Sequence, residues 1–248
     1  MLTPDVPFGI PAFALSDDQI ATVLDLLCKG CDEAKAHLTP GMLEVPTTIV
    51  VRKAMRRVKK TLRLTNLQIR GEHKLENMAT DDPAILGRID ITLQFLHQFG
   101  DEDAYVAVEC KRVHSGDTGL NASYVAKGVE RFATGRYAAG HEWGFMLGYV
   151  LALPASTIVD AVDARIRKTY GEPAGLTAET SHSLALAVLE GALVQKGSHV
   201  IRLKHVFVDM TLAAPPSHGS PPSPGAHRSG TPAADLWRRP VCREATRG

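Results

Sequence analysis

The segments GRID (87–90) and VECKR (108–112) hold residue types that can do chemistry, at a spacing that would bring them together. In Ala104–Val113, Val106, Val108 and Cys110 alternate with Ala107, Glu109 and Lys111, so on an extended chain Glu109 and Lys111 project from one face. In Gly87–Phe95, Ile89, Ile91, Leu93 and Phe95 alternate with Arg88, Asp90, Thr92 and Gln94. The acidic stretch Gly100–Asp103 reads as the turn between two paired strands, and pairing would set Asp90 beside Glu109 and Lys111. Two carboxylates held this way suit a hard cation such as Mg²⁺, which takes oxygen ligands and keeps several waters. The ion would polarise a phosphoryl oxygen and acidify a bound water. A lysine beside it would position or deprotonate that water, or neutralise charge developing on phosphate. The main-chain carbonyl of Cys110 is a further candidate ligand. The alternative is an ordinary surface ion cluster, which would contribute little.

The elements around these segments are legible in the apolar spacing. Ser16 and Gln19 form a capping-box pattern before Ile20, Val23, Leu24, Leu27 and Cys31, which predicts a helix over about 17–37. A second helix is expected from near Pro46, with Val51, Ala54, Met55, Val58 and Leu62 as its apolar stripe. Its other face carries Arg52, Lys53, Arg56, Arg57, Lys59, Lys60 and Arg63 with no acid between them, either a phosphate track or a solvated face. A short strand is expected over Thr65–Gly71. After the hairpin come a helix over Ala122–Ala139, a strand buried on both faces over Trp143–Leu153 and a helix over Ser156–Tyr170. A further helix is expected over Ser183–Gln195 and a last strand over His199–Met210. This order predicts an α/β fold with a mixed central sheet flanked by helices.

GRID followed by VECK resembles the bipartite core of the PD-(D/E)XK nucleases, which have the restriction-endonuclease-like fold, and the resemblance covers roughly residues 42–210. It implies a Mg²⁺-dependent nuclease, with Mn²⁺ as a substitute, hydrolysing phosphodiester bonds of nucleic acid as a DNA endonuclease. It further implies that Asp90 and Glu109 bind the metal and that Lys111 serves the attacking water. Relatives carry another acid on the first core helix. Glu44 matches that position, although Pro46 would set it just ahead of the helix; Glu72 and Glu76 are the alternatives. On the helix after the E-x-K strand, Lys127 and Arg131 are the candidate phosphate-binding residues, with Tyr124 on the same expected face. A non-catalytic nucleic-acid-binding or assembly subunit on the same fold is the second reading.

The 248 residues, 44% of them hydrophobic, suffice for one core. Residues 1–15 read as an arm, 16–212 as the nuclease-like domain, and 213–248 as a disordered tail rich in Pro, Ser and Gly. A formal net charge of +1 gives no bulk evidence for nucleic acid, so any must come from the placement of charges. No apolar run is long enough to span a bilayer and no secretory signal is evident, so a soluble cytoplasmic protein is expected. A homodimer, or a partner protein supplying specificity, is compatible with the sequence. Cys28 and Cys31 lack a second ligand pair and read as helix residues, Cys110 as a small buried residue, and His114 as a loop histidine. There is no G-x-S-x-G elbow and no G-x-x-x-x-G-K-[ST] loop, so neither a serine hydrolase nor a nucleotide-triphosphate site is expected.

Overall fold

The computed structural model describes residues 13–76, 85–179, 181–195 and 198–212. The tail expected over 213–248 and residues 1–12 of the arm lie outside the described residues. Helix α1 (Asp17–Ala34) starts at its predicted cap: the Ser16 hydroxyl accepts the Gln19 N–H and the Gln19 side chain accepts the Ser16 N–H. A single 3₁₀ turn, Lys35–His37, extends it. Helix α2 (Glu44–Thr61) begins ahead of Pro46, correcting the expected start. Proline fits there because the N–H groups of a first turn have no partner within the helix. Gly30 lets the two helices meet, since a Cβ there would lie 2.3 Å from the Met55 side chain.

Among the described residues seven strands form one sheet: β1 (Leu67–Glu76), β2 (Ile85–Phe95), β3 (Val106–Val113), β4 (Trp143–Val150), β5 (Thr177–Ala178), β6 (Ala187–Val194) and β7 (Val200–Asp209). Their order is β1-β2-β3-β4-β7-β6-β5. The central β3, β4 and β7 are parallel and the outer neighbours antiparallel, so the fold is α/β with a mixed sheet flanked by helices, as expected. β4 is buried along its whole length, which its unbroken apolar run anticipated. β6 is the main correction, because a helix was expected there. Its apolar residues also fit helical spacing, but the β-branched Val188 and Val194 suit an extended chain, and β6 pairs with β7 from Ala187↔Phe207 to Val194↔Val200. β1 also runs farther than expected, to Glu76.

The remaining helices are α3 (Thr118–Tyr124), α4 (Glu130–Ala133) and α5 (Ala155–Tyr170). A π-helical turn, Val125–Val129, joins α3 to α4. The segment starts at Thr118 rather than Ala122 because Asp117 caps it, accepting the N–H groups of Gly119 and Leu120. Helices α1 and α2 pack with Phe145, Leu147 and Tyr149 of β4 in one apolar cluster. The segment α3–α4 and α5 pack with Met146 and Val150 in another, so the two clusters lie on opposite faces of the sheet. No helix among the described residues is long and apolar enough to cross a membrane.

The second cluster encloses a titratable group. His205 is fully buried, its Nδ1 3.0 Å from the Tyr124 hydroxyl, and burial pulls its pKa down to about 3. It is neutral in the fold and free to protonate once unfolded, so the unfolded chain binds the extra proton and stability falls as pH drops from 6.5 toward 3. The loss is about 1.4 kcal/mol per pH unit. Urea unfolding at pH 7 and pH 5 is expected to show a smaller acid loss in His205→Gln than in wild type, by about 2 kcal/mol. Equal losses in the two proteins would show that another group carries the acid sensitivity.

Candidate active site

The site arises where β2 leaves β3. The two strands pair only at Leu93↔Val106, Thr92↔Ala107 and Ile91↔Val108. The β1–β2 ladder skips one pair here: Gly71 pairs with Ile91 and His73 with Ile89 in one register, while Glu72 between them, opposite Asp90, has φ +27°, a sterically costly value for a residue with a Cβ. The predicted alternation of β2 breaks at the same place. Ile91, Leu93 and Phe95 join the first apolar cluster, but Ile89 joins the second.

Beyond Val108, side chains take the place of the missing strand. The Asp90 carboxylate accepts the Cys110 N–H at 2.8 Å, and Glu44 Oε2 accepts the Arg112 N–H at 3.2 Å. The Cys110 carbonyl accepts from Lys111 Nζ at 2.9 Å. These main-chain groups sit two residues apart along one edge of β3, the spacing at which an antiparallel partner would have bonded them. Buried main-chain groups must find partners, and here the partners are the charged residues themselves.

The Lys111 ammonium gathers the cluster. It lies 2.7 Å from Glu109 Oε1 and 2.8 Å from Glu44 Oε1. Arg131 on α4 reaches the same Glu109 oxygen at 2.8 Å. The Arg131 guanidinium also donates to the Tyr137 hydroxyl, which donates to the Arg88 carbonyl. The Glu109 side chain is fully buried, and its Oε2 has no hydrogen-bond partner among the described residues. An orphaned, buried carboxylate oxygen is costly unless something else satisfies it.

The electrostatics follow from burial and crowding. Burial, reinforced by the Asp90 charge, pushes the Glu109 carboxyl up to about 8, although Lys111 and Arg131 oppose it. Burial likewise raises Asp90 against the pull of Lys111 and the Cys110 N–H. Burial works against the charge on Lys111, but Glu109, Glu44 and Asp90 outweigh it and hold the ammonium above its ordinary range. The cluster therefore keeps its cation firmly and its innermost carboxylate loosely protonated.

The structure brings together Asp90, Glu109, Lys111, Glu44, the Cys110 carbonyl and Arg131. Glu44 is the first residue of α2, so Pro46 does not displace it from the helix. Lys127 is not brought in: it is exposed, and no hydrogen bond or ion pair joins it to the cluster among the described residues. The chain passes through a π turn, Val125–Val129, between α3 and α4, so the α-helical phase used to pair Lys127 with Arg131 does not hold there. Tyr124 also turns away, its ring stacked on Phe207 at 5.5 Å between centroids. Glu72 is exposed, and the Glu76 side chain lies outside the described residues. Cys28 and Cys31 are buried and unpaired in the first apolar cluster, with Cys110. The His114 ring accepts the Gly116 N–H in its own loop. Sequence reasoning missed Tyr137 and the Arg88 carbonyl, which orient Arg131 and which no local pattern marks.

Profiles of known protein families, curated proteins and solved structures give no match to this chain. Its chemistry must be read from its own geometry. Among the described residues no three His, Cys, Asp or Glu side chains are grouped to hold an ion as they stand. What is grouped is a set of oxygens, from Glu44, Glu109 and Cys110, around one positive nitrogen. Oxygen-only donors are the preference of Mg²⁺ and similar hard cations.

Proposed function

We propose that this chain is a metal-dependent phosphodiester hydrolase of the PD-(D/E)XK type, acting on nucleic acid as a DNA endonuclease in the cytoplasm. The observation that carries the reading is the orphaned, buried Oε2 of Glu109 beside Asp90, within a set of oxygens gathered about one cation. Asp90, Glu109 and the Cys110 carbonyl would hold Mg²⁺ or Mn²⁺, with Glu44 as a further acid. When bound, the ion supplies Lewis-acid polarisation of the phosphoryl oxygen and acidifies a water.

The chain's own residues do the rest. Lys111 is held charged by its carboxylates, so in this arrangement it donates hydrogen bonds and orients a water rather than removing its proton. Glu109 must give up its proton to hold the ion, so proton and metal compete for it near neutral pH. Arg131, anchored by Tyr137 and 28% exposed, offers its remaining N–H donors to a phosphate. Plasmid incubated with Mg²⁺, Mn²⁺ or EDTA, beside Asp90→Ala and Lys111→Ala, tests this directly. Metal-dependent nicking lost in both variants is the expected result. Nicking that survives both substitutions would overturn the assignment of the site.

A second reading follows from the position of Lys111. With its ammonium already satisfying Glu44 and Glu109, the cluster needs no ion to be stable, as in a non-catalytic nucleic-acid-binding or assembly subunit. That reading predicts retention of DNA without cleavage, indifferent to Mg²⁺.

A further inference from the structure

At the far end of α2 from Glu44 lies a groove of about 340 Å³ between the helix and edge strand β1, lined by Arg56, Lys59, Lys60, Gln68, Ile69 and Arg70. It contains cations and no carboxylate. Among the described residues none of its charged side chains has an acidic partner; Arg56 donates to the Ile69 carbonyl at 3.1 and 3.2 Å and Arg70 to Gln68 at 3.0 Å. This sets the groove apart from a larger cavity of about 740 Å³ between α1, Trp143 and β7. There Arg202 and Lys204 are both tied to Glu190, and Lys204 also to Glu179. The net charge of the chain is only +1, so the unpaired positive charge on the flank of α2 is a local concentration rather than a general excess.

The groove is also connected to the cluster. Arg52, Arg56 and Lys60 recur every fourth residue along α2, so they form one stripe. Arg52 lies against Gly71, where a Cβ would come within 2.0 Å of its guanidinium, and Gly71 pairs with Ile91 beside Asp90. From Glu44 to Lys60 the helix rises about 24 Å, the length of about seven base pairs. A duplex is stiff over that length, so a phosphate at one end fixes where the backbone lies at the other. No aromatic residue lines the groove, which removes the stacking platform that single strands need.

We propose that the Arg56–Lys59–Lys60–Arg70 groove grips the backbone of duplex DNA about seven base pairs from the phosphate held at the Glu109 cluster, which makes duplex length a determinant of binding. This rests on the hydrolase reading for the position of the reacting phosphate. The test is fluorescence anisotropy in EDTA with the full chain and blunt duplexes of about 6, 12 and 20 base pairs, beside Lys59→Ala/Lys60→Ala/Arg70→Ala. Wild type is expected to bind the longest duplex at least about ten-fold tighter than the shortest. The triple variant should lose about ten-fold on the longest duplex and almost nothing on the shortest. Its plot of log affinity against log salt should flatten by about two to three. Lys60→Glu, a single exposed change, gives the same direction if the triple variant folds poorly. Unchanged affinity in the variants, length-independent binding by wild type, or equal binding of single strands or duplex RNA would overturn the proposal. Nicking without length dependence would remove the groove and leave the hydrolase. Length-dependent binding without nicking would remove the hydrolase and leave a duplex-gripping surface.

Discussion

Lys111→Met is expected to cost about 3–5 kcal/mol of stability in EDTA at alkaline pH, because it strips the ammonium from the fully buried Glu109 carboxylate and leaves it Arg131 alone. Glu109 is fully buried and Lys111 is 8% exposed, so solvent screens little of that loss. The pH dependence has a definite sign. A carboxyl whose pKa is raised in the fold keeps its proton there after the unfolded chain has released it, so its contribution to stability is lost as pH rises. In wild type that window runs from 4.5 to about 8. Without Lys111 the Glu109 carboxyl rises further, so the variant should be weakest at alkaline pH and recover at acid pH, where a proton replaces the ammonium. Mg²⁺ in hundred-fold excess over its dissociation constant should restore about 2.7 kcal/mol if the oxygens then close on the ion. Thermal unfolding of the variant with and without Mg²⁺ at pH 6 and pH 8.5 measures this apart from any cleavage. A variant as stable as wild type, or one indifferent to Mg²⁺, would reduce the cluster to an ordinary structural ion network.

Asp90 separates structure from chemistry. Asp90→Ala leaves the buried Cys110 N–H without its acceptor, a loss of about 1–3 kcal/mol. Asp90→Asn keeps an oxygen for that N–H and should recover most of the stability. It also removes the charge that helps raise Glu109, so the Glu109 carboxyl should move back toward its ordinary range. Under the hydrolase reading both variants lose nicking on the order of 10³-fold or more, since several kcal/mol of transition-state stabilisation depend on the anionic ligand. Full nicking by Asp90→Asn would mean that the carboxylate serves only to terminate the backbone of β3.

Much of this arrangement was legible in the sequence, for identifiable reasons. Strand alternation put Glu109 and Lys111 on one face, and the hairpin put Asp90 next to them. Local polar chemistry placed the start of α1, and the unbroken apolar run of β4 announced a strand covered on both sides. What failed depended on tertiary partners. Ala187–Val194 carries an apolar pattern readable as helix or strand, and only the availability of β7 as a neighbour decides it. Lys127 is exposed within a π turn that no period announces, beside Gly128, which sits so close to Met146 that a Cβ would come within 2.5 Å. Glu44 reached the site because α2 begins before its proline, and Tyr137 joined through a chain reversal past α4 that no period reveals.

The missing strand partner beside β3 has one more consequence. The amide groups of Cys110 and Arg112 end on the carboxylates of Asp90 and Glu44 instead of on another backbone. Their protons are therefore wired to the charge state of the cluster. In a nitrogen–proton correlation spectrum these two resonances act as internal indicators. They respond to a proton, an ion or a phosphate arriving at the acids, while the amides of β4 behind them, locked in the sheet, supply the fixed reference.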